Sequence, residues 1–447
     1  MLPLTSHPID GIIAHGSDGP ISVARFLADV ARVSALLPEG GHVLNLCQDR
    51  YRFLVGLSAA LVVGKQGLMP ADYTPETIAR IKALAPDACC FHDGQGDTVD
   101  LPQVRFPETP AEELSAPPVM PYIPADRVMA ILFTSGSTGV PQPHVRRWGS
   151  LVVSAQGEAQ QLGLVPGQTI VGTVPSQHSY GMESVIMLTL HGGCTCWTGR
   201  PFYPADIAAA LSAVPAPRLL VTTPFHLRTL LDADVDCPQV EQQLSATAPL
   251  SENLAREAEQ RLGGPLFEIY GCTETGQVAT RRTCAGPAWQ LLPGVQLDYE
   301  GDDAHAHGGH VLIRHRLADR LEPTPDGGFV LHGRIGDLLN IAGKRSSIGY
   351  LNHQLLGVEG VVDGCFFMPD DQEADGITRL WVFVVAPTLT ARQIQDELRK
   401  RVDPVFLPRP LVFVDSLPRN ANGKTLRGEM MGLVERHLAA QKSGGGA

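Results

Sequence analysis

The sequence predicts an α/β protein, with a large N-terminal domain of doubly wound sheets plus a small β-barrel, and a small α+β C-terminal domain. In residues 20–100, helical periodicity alternates with short apolar runs, which indicates βαβ units around a largely parallel sheet. From residue 284 the pattern changes to short alternating strands with Gly and Pro turns, which is typical of a small barrel. A second change near Gly333 divides the chain into predicted domains 1–334 and 335–447, with the barrel at 284–334.

The individual elements follow from the spacing of apolar residues along the chain. A helical period in the large domain predicts helices at 21–37, 51–63, 150–162, 182–190 and 254–262, the last with Ser251 as N-cap. Short apolar runs predict strands at 42–46, 88–91, 128–133, 170–174, 219–222 and 266–270, with a proline-rich linker at 117–124. The barrel strands are predicted at 295–299, 310–314 and 329–332. The C-terminal domain is predicted to contain strands at 379–385 and 411–414 and a helix at 391–402.

Composition restricts the classes of function. The chain has 447 residues, of which 44% are hydrophobic and 18% charged, and its formal net charge is −12. An acidic surface repels phosphate backbones, which argues against nucleic acid as the main partner. Neither a signal peptide nor an apolar run long enough to cross a bilayer is present, so a cytoplasmic protein is expected. The nine cysteines lack the paired spacing of a zinc site, which indicates buried reduced thiols and no structural metal.

Residues 132–142, with the sequence LFTSGSTGVPQ, join an apolar strand to a loop of Thr, Ser and Gly. Glycines let backbone N–H groups turn toward an anion and the hydroxyls add donors, so this composition suits a phosphate. The loop does not match the pattern GxxxxGK[ST], which argues against a Walker-type NTPase. Taken alone, such a loop is more often an ordinary polar turn.

Four further segments carry polar groups that suit a nucleotide site, although each alone is more often a turn or a solvated charge. Thr273 and Glu274 follow an apolar strand, where the carboxylate could hold Mg²⁺ and the hydroxyl could reach a phosphate. Asp319 could accept hydrogen bonds from two ribose hydroxyls. Gly336 lies at the proposed domain boundary and, lacking a Cβ, could act as a hinge. Lys424 lies on a loop containing Gly and Asn.

These five segments, in this order and spacing, resemble the superfamily of adenylate-forming enzymes, which includes acyl-CoA synthetases, the adenylation domains of peptide synthetases and luciferase. The resemblance covers nearly the whole chain. It implies an acid:thiol ligase that uses ATP and Mg²⁺ to convert a carboxylic acid into an acyl-adenylate, releasing pyrophosphate. The acyl group then passes to a thiol of coenzyme A or of a phosphopantetheinylated carrier protein. The C-terminal domain is implied to be a mobile lid that rotates about Gly336 and brings Gly343 and Arg345 to a thiol tunnel.

The resemblance also implies a role for each matched residue. The catalytic candidates are Lys424, which bridges the carboxylate and the α-phosphate, Glu274 on Mg²⁺, Thr273 beside it, and His178 at the acid pocket. The phosphate loop is matched by Thr134, Ser135, Gly136, Ser137, Thr138 and Gly139. Ala248 and Pro249 match the segment that lies against adenine. Tyr270 matches the aromatic residue that stacks on adenine, and Gly271 is the neighbour of that residue. The ribose contacts are matched by Asp319 and Arg334.

Three features depart from the superfamily pattern. Gln142 stands where a Lys often follows the Pro of the phosphate loop, so a charge-assisted contact worth about 1.5–3 kcal/mol becomes at most a neutral one. The side chains that could substitute for the missing lysine are His144, Arg146 and Arg147. The other departures are Gly336 at a hinge that is usually Asp or Lys, and Tyr350 and Asn352 at positions often held by Glu.

The acid pocket is expected beside residues 175–184 and 223–226, where His178 occupies a position often held by an aromatic or His gate. Two histidines, a tyrosine and a serine there could hydrogen-bond a hydroxylated aryl acid, although each could equally be a packing residue. Residues 177–184, QHSYGMES, resemble stand-alone ligases of aryl-polyene and xanthomonadin-type pigment pathways, which implies a hydroxybenzoate-type acid loaded on an acyl carrier protein. The alternatives are a fatty or other small acid joined to coenzyme A, a catalytically impaired nucleotide-binding relative, and an oxidase of the luciferase kind.

Overall fold

The computed structural model describes residues 1–70, 72–94, 99–108, 119–134, 142–334, 338–341, 344–369, 380–419, 425 and 427–444. For residues 134, 334, 338, 340, 344–345 and 440–444 it describes the backbone alone. Its strands and helices form two large sheets, a three-stranded sheet beside them and a separate C-terminal unit. The α/β fold class predicted from the sequence is confirmed.

Residues 1–147 contain the first large sheet and also strands that belong to other sheets. The elements there are β1 (Leu2–Pro3), β2 (Ile12–Gly16), β3 (Gly19–Ser22), α1 (Val23–Leu36), β4 (His42–Asn45), α2 (Arg50–Val62), β5 (Gln66–Met69), α3 (Pro75–Leu84), β6 (Cys89–His92), β7 (Gln103–Arg105), β8 (Tyr122–Ile123), β9 (Val128–Thr134) and β10 (Gln142–Arg147). Six strands form the sheet in the order β10-β9-β5-β4-β6-β7, and β10 is its antiparallel edge. The first three helices start where the sequence supplies an N-cap, since Ser22, Asp49 and Thr74 each accept a backbone N–H.

The second large sheet follows. Its elements are α4 (Trp148–Leu162), β11 (Thr169–Gly172), α5 (Ser179–Gly181), a π-helix (Met182–Met187), α6 (Leu188–His191), β12 (Thr195–Trp197), α7 (Pro204–Ala213), β13 (Arg218–Thr222), α8 (Pro224–Asp232), β14 (Gln242–Ser245), α9 (Glu252–Leu262), β15 (Leu266–Cys272), β16 (Gly276–Arg282), a 3₁₀ turn (Thr283–Ala285) and β17 (Ala288–Leu291). Strands β15-β14-β13-β11-β12-β2 are parallel. The predicted N-cap of α9 is confirmed, since Ser251 Oγ accepts the Leu254 N–H at 3.2 Å.

The main hydrophobic core joins the two large sheets into one body. It includes Phe26 of α1, Leu54 of α2, Trp148 of α4 and Ile170 of β11, each of them less than 1% exposed. A fully buried side chain of this size contributes about 1.5–3 kcal/mol relative to an exposed one. The sheets are therefore held together by helices that both of them share, as expected for a doubly wound arrangement.

The predicted small barrel is not closed within the described residues. Its strands are β18 (Gln296–Glu300), β19 (Asp303–Gly308), β20 (Val311–Arg316), β21 (Asp319–Pro323) and β22 (Phe329–Arg334). The first three form a separate antiparallel sheet, whereas β21 and β22 join β17 and extend the second large sheet. Trp289 and Phe329 belong to a core between the two groups. The strands predicted at 295–299, 310–314 and 329–332 correspond to β18, β20 and β22, whereas β19 and β21 were not predicted. Bulges interrupt the pairing of both unpredicted strands.

The C-terminal elements have a core of their own. They are β23 (Leu338–Ile341), β24 (Lys344–Ser347), α10 (Ile348–Leu356), β25 (Asp363–Phe367), β26 (Trp381–Val385), α11 (Ala391–Arg399), a 3₁₀ turn (Pro404–Phe406), β27 (Leu411–Phe413) and α12 (Arg427–Gly444). Leu351, Val382 and Ile394 pack together in that core. The predicted strands at 379–385 and 411–414 and the helix at 391–402 correspond to β26, β27 and α11. Among the helices described, none has the length and apolar character needed to span a membrane.

Candidate active site

A cleft of about 850 Å³ opens where β13, β14 and β15 end and α10 approaches β22. In open α/β sheets, ligands bind outside the carboxyl ends of the parallel strands, and this cleft has that position. Five residues that the sequence assigned to nucleotide binding line it together, namely Ala248, Pro249, Tyr270, Gly271 and Asp319. The fold thus brings candidates for adenine and ribose contact from three chain segments into one cavity.

Tyr270 and Asp319 are joined directly. The Tyr270 hydroxyl donates to Asp319 Oδ2 at 2.8 Å. The Tyr270 ring lies edge-on to Trp289 and Phe329, at centroid distances of 5.8 and 5.5 Å. These contacts hold the ring in one orientation, and the hydroxyl then fixes the carboxylate relative to it. A carboxylate has about four acceptor positions, so Asp319 can accept hydrogen bonds from several groups besides Tyr270.

The loop between β14 and α9 forms one wall of the cleft through Ala246, Thr247, Ala248 and Pro249. Thr247 has a φ of +80°, which is unusual for a β-branched residue. Such a backbone conformation costs about 1–3 kcal/mol and persists only where the surroundings enforce it, often at a ligand site. Nothing in the sequence pattern indicated Thr247, because a strained φ leaves no compositional signal.

Thr273 and Glu274 lie in the turn between β15 and β16. This turn begins two residues after Gly271, which lines the cleft. Glu274 Oε1 is 3.7 Å from His144 Nε2 of β10. The backbones of Thr134 and Gln142 pair at the start of β10, so the predicted phosphate loop leaves and re-enters the sheet there. The turn that carries Glu274 is therefore adjacent to the strand that follows the predicted phosphate loop.

The carboxyl of Glu274 is suited to a hard cation. Partial burial by itself raises its pKa, but its own backbone N–H, the Cys272 thiol and the nearby His144 and His315 hold the pKa below the ordinary value. The group is therefore ionised at neutral pH. A single carboxylate oxygen, with water and phosphate oxygens, is the usual protein contribution to a Mg²⁺ site, so the residues present fit that ion.

Several predicted site residues lie outside the described residues: Ser135, Gly136, Ser137, Thr138, Gly139, Gly336, Gly343 and Lys424. For three others the backbone alone is described. Thr134 pairs with Gln142, Arg334 lies opposite Asp319 in the β21–β22 ladder, and Arg345 lies opposite Asn340. The position of Arg334 in register with Asp319 is what a shared ribose contact would require.

His178 precedes the helical segment that was expected beside the acid pocket. It is the half-buried N-cap residue of α5, and its carbonyl accepts the Met182 N–H at 2.8 Å. The segment continues as a π-helix over Met182–Met187, a conformation that occurs mostly as single turns and frequently at functional sites. The predicted helix at 182–190 is helical, but its apolar period does not distinguish π from α winding. His178 is not among the residues that line the 850 Å³ cleft.

Residues 223–226 reach the cleft from its other side, through Thr223, Pro224 and Phe225. Thr223 caps α8, and its Oγ1 lies 2.8 Å from His226 Nδ1. Burial, assisted by the charge of Arg200, lowers the pKa of His226 to about 4, so the ring is neutral at physiological pH. Its Nε2 has no hydrogen-bond partner in the part of the chain described.

Arg146 and Glu183 form a buried ion pair that no sequence pattern indicated. Arg146 Nη2 and Glu183 Oε2 are 3.3 Å apart, and the residues are 5% and 2% exposed. Ser179 Oγ donates to Glu183 Oε1 at 2.7 Å, and the Gln277 N–H donates to Oε2 at 3.3 Å. Gly276, at φ +75°, leaves room for the pair, since a Cβ there would collide with the guanidinium. The pair ties β10 to the π-helix Met182–Met187 and to β16.

This pair corrects one expectation about the phosphate loop. Arg146 was a candidate to replace the missing lysine at Gln142, but its guanidinium is buried against Glu183 and faces away from solvent. Arg147 donates to the Asp126 carbonyl at 2.6 Å on the far side of the strand. Of the three candidates, His144 is the one that lies beside Glu274.

Glu158 is a fully buried carboxyl on α4, a helix that packs against the π-helix Met182–Met187. Neither of its oxygens makes a hydrogen bond of normal geometry, although Ser184 and Gln277 lie beside it. Burial raises the pKa of Glu158 to about 8, against the lowering effect of those two neighbours. The carboxyl is therefore largely neutral at pH 7.

Replacing Glu158 with Gln should remove a pH dependence of stability. The folded-state pKa of Glu158 lies above its ordinary value of 4.5, so the stability that the neutral carboxyl contributes is complete below that pH and is lost as the pH rises toward 8. We expect Glu158→Gln to gain a few kcal/mol relative to the unaltered protein between about pH 5 and pH 8. Urea denaturation at several pH values measures this difference. Exposed Glu76→Gln is the matched control, and parallel curves for Glu158→Gln and the unaltered protein would contradict the assignment.

Residues 21–311 match the family model described as AMP-binding enzyme, and residues 353–424 match the model described as AMP-binding enzyme C-terminal domain. The 4-coumarate–CoA ligase of Rhodobacter capsulatus is 30% identical over 306 residues, which cover 67% of this chain and 75% of that relative. The 3-hydroxybenzoate–CoA/4-hydroxybenzoate–CoA ligase of Thauera aromatica is 24% identical over 488 aligned positions, covering 96% of this chain and 88% of that protein.

Among solved structures, ATP-bound MatB from Rhodopseudomonas palustris matches with a TM-score of 0.78. The match covers 94% of this chain and 95% of that one at 19% identity. At this identity the similarity concerns the fold alone. It includes a large N-terminal domain and a smaller C-terminal domain.

Proposed function

Because the chain belongs to the AMP-binding enzyme family and is an AMP-forming acid:thiol ligase, we propose that its substrate is an aryl carboxylic acid, such as a hydroxybenzoate. The acid is activated at the 850 Å³ cleft. The reaction is ATP-dependent and passes through an acyl-adenylate. The observation that carries the proposal is the meeting of Ala248, Tyr270 and Asp319 in one cavity beside the turn that bears Glu274.

The residues of the chain divide the work of nucleotide binding. We propose that adenine lies between the Ala248–Pro249 loop and the Tyr270 ring, whose orientation the edge-on aromatic contacts fix. Asp319, held by the Tyr270 hydroxyl, accepts hydrogen bonds from the ribose hydroxyls. Arg334, opposite Asp319 in the β21–β22 ladder, is proposed as a second ribose contact. Positioning of this kind lowers the barrier because the reacting groups need no further ordering.

Charge is the main chemical obstacle, since a carboxylate must approach the α-phosphate of a polyanion. Mg²⁺ bound by Glu274 would supply charge neutralisation at the leaving pyrophosphate. Lys424 and the N–H groups of residues 134–139 are proposed to act at the α-phosphate and at the outer phosphates, where charge develops. Thr425 and Arg427, on either side of position 426, line the cleft, which supports a role for the neighbouring Lys424.

The aryl preference rests on the acid side of the site. Two of the similar proteins are named as ligases of 4-coumarate and of 3- and 4-hydroxybenzoate. In this chain, the neutral ring of His226 lies 5.5 Å from the ring of Phe225, which lines the cleft, and its Nε2 has no hydrogen-bond partner among the described residues. A phenol hydroxyl can pair with such a nitrogen, whereas an alkyl chain would leave it without a partner. We propose His178 as a second contact to the acid.

The acceptor is a pantetheine thiol. Coenzyme A is the acceptor named for the relatives, and we propose it for this chain, with an acyl carrier protein as the alternative to be tested in the same assay. We further propose a division at residues 334–335, with Gly336 as the hinge and with Gly343 and Arg345 moving to the thiol tunnel in the second half-reaction.

Acid-dependent exchange of labelled pyrophosphate into ATP is the direct test. A panel containing 4-coumarate, 3- and 4-hydroxybenzoate, short aliphatic acids and fatty acids should give exchange with one or more of the aryl acids. Exchange with fatty acids only would reject the aryl assignment, and no exchange with any acid would reject adenylation of this panel. Adding coenzyme A or a phosphopantetheinylated carrier to the active pair then identifies the acceptor by formation of the thioester.

Asp319→Asn should separate nucleotide binding from chemistry. The substitution keeps the shape of the side chain but removes the charge, and a charge-assisted hydrogen bond is worth about 1.5–3 kcal/mol. We expect the KM for ATP to rise about 10-fold or more, with a smaller change in the KM for the acid. Tyr270→Phe, which removes only the hydroxyl donor to Asp319, should have a weaker effect in the same direction. An unchanged KM for ATP in Asp319→Asn would contradict the ribose assignment.

A further inference from the structure

Three different metal-binding groups converge beside the turn between β15 and β16. Cys272 ends β15, Glu274 lies in the turn, and His315 reaches the same place from β20. The thiol sulfur, a carboxylate oxygen and a ring nitrogen all lie within 4.8 Å of one another. These residues come from two different sheets, so their convergence results from the tertiary fold and not from local sequence.

A fourth group approaches from a third direction. His144 of β10 places Nε2 at 3.7 Å from Glu274 Oε1. Two ligands bound to one ion with bond lengths of about 2.0–2.3 Å in tetrahedral geometry lie roughly 3.3–3.8 Å apart. The His144–Glu274 separation already has this value, and the ligand atoms of Cys272, Glu274 and His315, within 4.8 Å of one another, exceed it by at most about 1 Å.

The donor set indicates which ions would bind. Mg²⁺ takes oxygen ligands almost exclusively, and of these four residues only Glu274 offers oxygen. Thiolate and imidazole donors together with one carboxylate suit Zn²⁺ and ions of similar preference, such as Co²⁺. The same carboxylate can therefore take part in two different cation sites.

We propose that Cys272, Glu274 and His315, with His144 as the fourth ligand, bind a thiophilic divalent cation of the Zn²⁺ class. Because Glu274 is also the residue assigned to the Mg²⁺ of ATP, such a cation excludes Mg²⁺ and inhibits adenylation; this second statement rests on the proposed function. Binding breaks the S–H bond of Cys272 and forms a sulfur–metal bond, and the proton passes to solvent. The metal, the sulfur and the protein keep their oxidation states.

The thiol has neighbours from which binding must release it. Its single proton can be donated to the Glu274 carboxylate or to Thr275 Oγ1, which lies 3.2 Å from Cys272 Sγ and donates its own proton to the Gly276 carbonyl at 2.9 Å. The cost is one weak S–H hydrogen bond, which is small compared with a metal–thiolate bond.

Titration of the full-length protein with Co²⁺, without ATP or acid, tests the cation site by itself. We expect saturable binding with a sulfur-to-cobalt charge-transfer band in the near ultraviolet and visible bands of the intensity typical of tetrahedral cobalt. Cys272→Ser should abolish the charge-transfer band, and His315→Ala should weaken binding at least about 10-fold. Cys284→Ser, at a half-buried cysteine in the 3₁₀ turn at Thr283–Ala285, is the matched control and should keep the band.

A charge-transfer band that survives in Cys272→Ser, or an absence of saturable binding, would overturn the cation site. Circular dichroism of each variant shows whether it is folded, and Co²⁺ affinity measured on the folded His315→Ala protein decides the matter if Cys272→Ser does not fold. Inhibition of pyrophosphate exchange by Zn²⁺ that is relieved by excess Mg²⁺, and that is weaker in Cys272→Ser, would support the competition. Binding without inhibition would overturn the competition between the two cations. Failure of the proposed function gives a different result, because exchange would then be absent even without Zn²⁺.

Discussion

Acid-dependent pyrophosphate exchange should fall about 10²–10³-fold in Lys424→Ala, the range seen when one preorganised donor to a developing negative charge is removed. The reason is electrostatic, because the carboxylate and the α-phosphate are both anionic and the lysine ammonium is proposed to bridge them. ATP binding, measured by calorimetry or fluorescence, should change only a few-fold, since the ribose and adenine contacts are proposed to come from Asp319 and Tyr270. A loss confined to the exchange rate would assign Lys424 to the chemical step.

Lys400→Ala is the matched control for this prediction. Lys400 also lies among the C-terminal elements, pairs with Glu397 at 2.6 Å and does not line the cleft, so exchange should be unchanged. The pair of variants also distinguishes a ligase from a nucleotide-binding relative without activity, the alternative that Gln142 raises. Equal exchange rates in Lys424→Ala and the unaltered protein would mean that adenylation proceeds without this lysine.

Glu183→Ala should lower the free energy of unfolding by about 3–5 kcal/mol, because it leaves the Arg146 guanidinium buried without its counter-charge. The loss includes the hydrogen bonds from Ser179 and Gln277, which would also lose their acceptor. Equilibrium denaturation in urea measures the change. Because the pair connects β10 with the π-helix Met182–Met187, which is proposed to border the acid, the surviving folded protein should also show an increased KM for the acid.

The double variant Arg146→Met/Glu183→Leu is the decisive comparison. Replacing a buried pair with apolar residues of similar volume removes the uncompensated charge, so most of the lost stability should return. Ser179→Ala, which removes a single donor to Glu183, should cost only about 1 kcal/mol. A double variant no more stable than Glu183→Ala would mean that packing, and not the buried charge, accounts for the loss.

Local periodicity predicted the large domain well because its helices and parallel strands are defined by nearest neighbours. The helix expected at 254–262 is Glu252–Leu262 with Ser251 as its cap, and the strand expected at 42–46 is His42–Asn45. Pairing between distant strands is a different matter. The strand β22 extends the large sheet through β17, which lies about forty residues earlier, and no local pattern specifies that choice.

The candidate site was predictable where loops have a distinctive composition at a strand end. Thr273 and Glu274 were found in this way. The roles of Tyr270 and Asp319 came from the resemblance to adenylate-forming enzymes, and the fold places these two side chains in contact. The Arg146–Glu183 pair, the positive φ of Thr247 and the π-helix could not be found, because each depends on what the residue meets after folding. Arg146 illustrates this limit of sequence analysis. The sequence suggested that its side chain could contact phosphate, whereas in the fold it is buried against Glu183.

Strand β10 has a consequence for how the two substrates are aligned. His144 and Arg146 are two positions apart, so their side chains leave the same face of the strand, while Val145 between them is 51% exposed on the other. The His144 side chain reaches Glu274, which is proposed to hold the Mg²⁺ of ATP, and the Arg146 side chain reaches Glu183 in the helical segment proposed to border the acid. A single edge strand thus positions both proposed substrate sites. A shift of one residue in its register would misalign both at once, so β10 should tolerate substitution far better than insertion or deletion.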